Sequence, residues 1–266
     1  MKRKAPEVNL KTRLARNELT IGSWVTLAHP LIPEILAPAG FDWLVVDMEH
    51  SSIGLTELLP LLISIEANGM VPLVRVGENN PNLIKRIMDA GAHGVIVANV
   101  CNRREAEQAI AAVKYPPMGT RGVGLYRAQG YGRKFAEYQQ WLAEESIVIV
   151  QIEHIAAVKN LDEIFTNPAL DAFMVGPYDL SGSLGKPGEF DDPQVVRALE
   201  EIMAAADRHK LTAGFHSVFS SPAEAVKRIN QGYRFLAFSM DSIFLGDVAA
   251  EAMGALKKLL PGEVTL

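Results

Sequence analysis

The chain has 266 residues, is 48% hydrophobic and carries a formal net charge of −5. That apolar content supports a large buried core and excludes disorder, while the acidic balance, with no basic run longer than Lys2-Arg3-Lys4, gives no electrostatic footprint for nucleic acid. No apolar stretch reaches membrane-spanning length, Met1 to Leu19 lacks a signal peptide's apolar middle, and a single cysteine, Cys101, rules out an internal disulfide and fits a reducing cytoplasm.

Asn9 to Asn17 reads as a short N-terminal helix, and Thr20 to Trp24 as the first strand. A helix near Leu31 to Ala37 leads to a second strand, Trp43 to Asp47, which runs into Met48-Glu49-His50. Helix Leu55 to Asn68 stops at Gly69, a common C-terminal signal. Strand Val71 to Val76 carries Arg75 at its end; helix Asn82 to Ala90, strand Gly94 to Ala98 and helix Arg103 to Val113 follow. The glycine-rich stretch Tyr115 to Gly132 breaks the rhythm. Long loops in compact domains are usually functional, so it is expected to cover the mouth of a site.

A helix over Phe135 to Glu145 precedes the fifth strand, Ile147 to Glu153. Val158, Leu161, Ile164 and Phe165 share a face of one helix predicted over Ala156 to Phe165, and the sixth strand is Ala172 to Val175. The last elements are helix Pro193 to His209, strand Thr212 to Phe215, helix Ala223 to Gln231, strand Phe235 to Ser239 and a helix from Ile243 to Leu260. Eight strands alternating with helices predict an α/β fold, a (β/α)8 TIM barrel occupying residues 1–266 as one domain. No Gly-x-Gly-x-x-Gly follows the first strand to favour a doubly wound sheet.

The segment Ile147 to Gly185 organises the functional reading. Two strands in a βαβ unit leave the sheet at the same edge, roughly 4.8 Å apart if adjacent. Glu153 and Asp179 would then face each other and repel unless a proton or cation lies between them. Oxygen ligands without Cys or His suit Mg2+ or Mn2+; two solvated or helix-capping acids are the alternative.

The other predicted strand ends supply Trp24, Asp47, Glu49, His50, Arg75, Asn99, Gln151, His216, Ser239 and Asp241. Arg75 ends an apolar strand and needs an anion, either a substrate carboxylate held by two N–H groups or one of these acids. His50 is the natural acid/base near neutral pH, with Asp47 expected to pair with its ring and fix the tautomer. No lysine ends a predicted strand, which argues against a Schiff base. Cys101 reads as a buried small residue, and His154 and His216 as supporting groups.

The stretches Phe41 to His50, Pro72 to Val76, Val150 to Glu153 and Gly176 to Ser181, with Tyr115-Pro116-Pro117 and Arg121-Gly122-Val123 in register, resemble the class II pyruvate aldolases. This is the family of 2-keto-3-deoxy sugar-acid and 4-hydroxy-2-oxoheptanedioate aldolases, and the similarity runs from Thr20 to Leu245. The resemblance implies a metal-dependent barrel enzyme that breaks a carbon–carbon bond next to pyruvate. It implies Glu153 and Asp179 as metal ligands, for Mg2+ or Mn2+ before Co2+ or Zn2+. Arg75 would grip the pyruvyl carboxylate and enolate oxygen, and Gln151, Gly176, Pro177 and Trp24 would line the pyruvate pocket. His50 with Asp47 resembles the acid/base group, and Asp89 a further acid of this centre, from its own or a neighbouring subunit. A cytoplasmic homohexamer is implied, with the C-terminal helix exchanged between subunits. Met48, Ala98-Asn99, His154, Phe215-His216 and Tyr178 depart from the family pattern and leave the aldehyde half open. The rival readings are a metal-dependent decarboxylase or lyase of oxaloacetate-like diacids and a non-catalytic 2-oxo-acid-binding barrel.

Overall fold

The computed structural model describes residues 9–259. Lys2-Arg3-Lys4 and the expected last helical residue, Leu260, lie outside them. Eight strands alternate with helices: β1 (Thr20–Val25), β2 (Trp43–Asp47), β3 (Val71–Val76), β4 (Gly94–Val97), β5 (Ile147–Ile152), β6 (Ala172–Val175), β7 (Thr212–Ser217) and β8 (Phe235–Met240). Each is parallel to the next, and β8 pairs with β1 to close the barrel. The chain is the α/β barrel that its alternation predicts.

Period-2 alternation decides which side chains fill the lumen. Trp24, Trp43, Val45, Leu73, Ile96, Ile147, Ile149, Met174 and Phe235 form one buried interior cluster. The intervening residues, such as Val46, Val74 and Val150, pack outward beneath the helices. Trp43 stacks on Phe235 at 4.1 Å between ring centroids. Gly22 makes room for that pair, since a Cβ there would lie 2.1 Å from the Trp43 ring. Leu10 and Leu14, on helix α1 (Leu10–Ala15), plug the floor of the lumen and are buried in the same cluster. Lys11 fastens α1 through Asp171 at 2.6 Å and the Ser146 carbonyl at 2.9 Å.

The outer layer holds α2 (Leu31–Leu36), α3 (Leu55–Ala67), α4 (Pro81–Ala90), α5 (Arg103–Val113) and α6 (Phe135–Glu144). It continues with α7 (Ile155–Val158), α8 (Leu161–Phe165), α9 (Pro177–Ser183), α10 (Pro193–His209), α11 (Pro222–Asn230) and α12 (Asp241–Leu259). Two helical expectations change. The single helix over Ala156 to Phe165 is the pair α7 and α8, parted at Lys159-Asn160, with the Asn160 amide side chain turned onto the Cys101 carbonyl at 2.9 Å. Asp179, expected among the strand-end residues, lies in the first turn of α9, begun by Pro177.

A third correction matters more for function. The stretch Tyr115 to Gly132 leaves the C-terminal end of α5 and leads through α6 back to the start of β5, so it lies at the floor of its own barrel and not over the mouth. Its anchors confirm this: Arg121 reaches Asp89 in the last turn of α4 at 2.6 Å, and Arg127 reaches the Ala90 carbonyl and Glu66 near the end of α3.

Candidate active site

Strand parity sends the last inward residues of the strands to one mouth: Trp24 from β1, Asp47 from β2, Arg75 from β3, Gln151 from β5, His216 from β7 and Ser239 from β8. Glu153 follows β5 directly, and Gly176 links β6 to α9. This is the C-terminal face, where barrel enzymes place their chemistry.

Asp47 and Arg75 are register partners on adjacent strands, both buried. Arg75 Nε donates to Asp47 Oδ1 at 2.9 Å, and Nη2 donates to Oδ2 at 2.5 Å. Asp47 Oδ1 also accepts the backbone N–H of Glu49 at 3.0 Å and of His50 at 3.2 Å. Burial alone would raise the Asp47 carboxyl, but the Arg75 guanidinium and these amides hold it below its ordinary value. The expected pairing of Asp47 with the His50 ring is therefore replaced. Asp47 grips the His50 backbone, and the exposed imidazole is aimed by the turn it belongs to. Arg75 also sits over the Trp24 ring at 4.3 Å, and Trp24 packs against His216 at 5.0 Å. Nη1 remains without a hydrogen-bond partner among the described residues.

Glu153 faces the opposite electrostatic situation. It is 3% exposed and receives the Asn99 backbone N–H at 2.7 Å and the Gln151 amide. No cation pairs with it among the described residues. Burial pushes its carboxyl up to about 7, helped by the negative charges of Glu49 and Asp179. Burial also raises Glu49, against the opposing charge of Arg75. Gly176 is dictated by this packing, because a Cβ there would lie 2.5 Å from Glu153 Oε2.

Among the described residues, five buried polar atoms around the mouth have no hydrogen-bond partner: Trp24 Nε1, Glu49 Oε2, Gln151 Oε1, His216 Nε2 and Ser239 Oγ, although Glu49 Oε2 lies 3.4 Å from Arg75 Nε as an ion pair. Orphaned buried groups are uncommon and require an explanation. A cation fits the acidic side. Glu153 feels the negative charges of Glu49 and Asp179, Gln151 Oε1 is an unused acceptor, and oxygen donors of this kind need neither Cys nor His beside them. No set of three or more His, Cys, Asp or Glu among the described residues could hold an ion by itself. Two carboxylates with water and substrate oxygens completing the shell match a hard ion that keeps several waters.

Two expected residues need revision. Asp89 occupies the last turn of α4, at the floor, where Arg121 and the Gln129 amide at 3.1 Å hold it. Helices run opposite to strands in this fold, so Asp89 and the mouth of the same subunit lie at opposite ends. Cys101 is half-buried, not fully buried. Glu49 is the acid whose part the sequence left unassigned; its only signal was its place between Asp47 and His50.

A polar strand-end ring at the C-terminal face of an eight-stranded parallel barrel, with crowded acids beside a buried arginine, is the arrangement of a barrel enzyme. Residues 20–246 match the HpcH/HpaI aldolase/citrate lyase family, and the chain belongs to it. It is 35% identical to a 5-keto-4-deoxy-D-glucarate aldolase of Shigella dysenteriae over 250 residues, 94% of each chain. Among solved structures, an HpcH/HpaI aldolase/citrate lyase family protein of Burkholderia cenocepacia superposes with a TM-score of 0.88 at 32% identity, covering 93% of this chain and 98% of the other. An HpcH/HpaI aldolase of Desulfitobacterium hafniense gives 0.88 at 30% identity, with 97% and 99% covered. The chain is thus a pyruvate-type aldolase, a carbon–carbon lyase.

Proposed function

We propose that the whole chain acts as one barrel domain that cleaves 4-hydroxy-2-oxo acids, including 2-keto-3-deoxy sugar acids, to pyruvate and an aldehyde. Glu153 and Asp179 would hold the divalent ion, with Mg2+ or Mn2+ the best match to their oxygen donors. When bound, that ion supplies a Lewis acid next to the substrate's 2-oxo group.

The observation that carries the reading is the charge asymmetry of the mouth. Glu153 is buried and unpaired on one side, while Arg75 is locked to Asp47 on the other with Nη1 free. Nη1 is the group available to the pyruvyl carboxylate or the developing enolate oxygen; Nε and Nη2 are committed to Asp47. Gln151 Oε1 and Trp24 Nε1 are open to the rest of the pyruvate half, beside the Gly176-Pro177 backbone.

His50, exposed at the rim, takes the proton from the 4-hydroxyl. The C4–O bond becomes the aldehyde carbonyl, the C3–C4 pair moves onto the pyruvate fragment as its enolate, and C3 is then protonated. Preorganised charge of this kind contributes several kcal/mol to lowering such barriers. Any part played by Asp89 would be in a neighbouring copy.

The apolar outer surface of α12 supports self-association: Leu245, Val248, Met253, Leu256 and Leu259 are all exposed. A homohexamer is the proposed assembly. Among the described residues no helix is long and apolar enough to cross a membrane, and a cytoplasmic setting is proposed.

The test is a retro-aldol screen of 4-hydroxy-2-oxo acids coupled to pyruvate detection, with divalent metals added back one at a time. Activity is expected to vanish on exhaustive chelation and in Glu153→Ala, with no borohydride-trapped adduct. Turnover that survives chelation would overturn the reading.

A further inference from the structure

Among the described residues, five other than glycine have a positive φ, and two of these stand beside the mouth: Asn99 after β4 (φ 56°) and Ser239 near the end of β8 (φ 54°). Asn99 is the one that touches the acidic side, because its backbone N–H is the 2.7 Å donor to Glu153 Oε1. The chain is pinned on both sides of it. The Ala98 N–H still donates to the Val76 carbonyl of β3 at 3.0 Å, and Val100 is buried in the core outside the lumen. The Cys101 N–H then donates to Glu105 Oε2 at 2.7 Å, while its carbonyl accepts the Asn160 amide at 2.9 Å. Between these fixed points, exposed Asn99 is where the chain turns.

That turn aims the Asn99 N–H at the carboxylate. An L residue enters the left-handed region against the close approach of its Cβ to the following carbonyl oxygen. Glycine escapes this, asparagine tolerates it, and a β-branched residue bears it worst. With both ends of the turn held, a residue that resists positive φ gives up either the burial of Val100 or the bond to Glu153. The Asn99 side chain makes no hydrogen bond among the described residues, so what this position contributes to Glu153 is its main chain. The other oxygen of Glu153 accepts the Gln151 amide, and a Cβ at Gly176 would lie 2.5 Å from it. One oxygen is thus fixed by a side chain and the other by the backbone, which gives the remaining lone pairs of a buried carboxylate a set direction.

We propose that Asn99 is a positioning residue for the divalent ion: its left-handed backbone holds Glu153 Oε1 so that the carboxylate meets the ion without reorienting. This rests on the reading of Glu153 as a metal ligand and adds the residue that aims it. Groups that hydrogen-bond a ligating carboxylate orient it, and their loss typically weakens metal affinity about 10- to 100-fold. Asn99→Gly keeps both the N–H and the backbone conformation. Asn99→Val keeps the N–H but resists the conformation.

The experiment titrates Mn2+ alone into the metal-free full-length chain, read by calorimetry and by the electron paramagnetic resonance of the free ion. Asn99→Gly is expected to bind within about twofold of wild type, Asn99→Val about tenfold or more weaker, and Asn99→Ala between them. Melting curves in chelator check folding, and Asn99→Ala takes the place of Asn99→Val if the latter does not fold. A merely structural role would lower those melting temperatures and leave the Kd of the folded chain in place. Binding by Asn99→Val, or by Asn99→Ala in its place, within about twofold of wild type overturns the proposal. So does Asn99→Gly binding as weakly as Asn99→Val, since the side chain would then be the cause. The metal-ligand reading stands in both cases. An Mn2+ affinity that Glu153→Ala leaves unchanged overturns that reading and the proposal together.

Discussion

Asp47 and Arg75 stand opposite each other on β2 and β3, and the two N–H···O bonds between them commit the fork of the guanidinium to a strand-end acid, one of the two partners the sequence left open. Nη1 is the guanidinium nitrogen left without a hydrogen-bond partner among the described residues, and the carboxylate that orients it also fixes the turn bearing His50.

Asp47→Asn would remove the charge that balances Arg75 while keeping the shape. Loss of one partner of a buried ion pair typically destabilises by about 3–5 kcal/mol, and misaimed groups lower turnover by roughly a hundredfold. Denaturant unfolding and steady-state kinetics are expected to show both effects. Arg75→Lys should lose as much activity, since an ammonium cannot make the paired contact. A Lys variant with normal KM and kcat would contradict the geometry.

The buried glutamate makes a pH statement. Glu153 rises from an ordinary 4.5 to about 7, so the folded, metal-free chain holds a proton there that the unfolded chain has lost. Its contribution is full below pH 4.5 and is lost as pH rises to 7, which makes the slope of stability negative in that window. His216, pushed down to about 3 by burial and the Arg75 charge, works in the other direction, losing stability as pH falls from 6.5. The difference between wild type and Glu153→Gln in chelator isolates the first effect. Added Mn2+ should stabilise the wild type more at pH 8 than at pH 6, because metal and proton compete for one carboxylate. Equal stabilisation at both values would exclude Glu153 as a ligand.

Lys114 makes the opposite kind of statement at the floor of the barrel. Its Nζ donates to the Leu142 carbonyl at 2.9 Å and Ser146 Oγ at 2.6 Å, and burial lowers it from 10.5 to about 8. Between those values the unfolded chain binds the extra proton, so stability attributable to this group rises with pH. Lys114→Met should flatten that slope in thermal melts. It should also destabilise by about 1–3 kcal/mol by removing the donor that these oxygens share, although Ser146 Oγ still donates to the Leu142 carbonyl at 2.6 Å.

Leu14 tests the plug beneath the lumen. It is 1% exposed, and Leu14→Ala is expected to destabilise by about 2–5 kcal/mol. KM should not change, since α1 lies at the end of the barrel away from Glu153 and Arg75. A raised KM would show that the floor and the mouth are coupled.

For α12, Val248→Asp and Leu256→Glu place charges on the exposed apolar face. Sedimentation velocity is expected to show a smaller species for the double variant than for wild type. An unchanged sedimentation coefficient would remove this helix from the interface.

Local chemistry sufficed for much of this. Alternation of apolar β-branched strands with amphipathic helices predicts the barrel, because both periods are short-range properties of the chain. Arg75, Gln151 and Glu153 were legible as polar residues closing apolar strands, and strand direction alone sends them to one face. What folding decided is how those residues are paired. Strand register made Asp47 the partner of Arg75 and not of the His50 ring, and the helix begun by Pro177 moved Asp179 off the strand end. Opposed helix and strand directions took Asp89 and the Tyr115 to Gly132 stretch to the floor. Pairing across strands and the end of the barrel that a loop reaches depend on contacts distant in sequence, so no local pattern carries them.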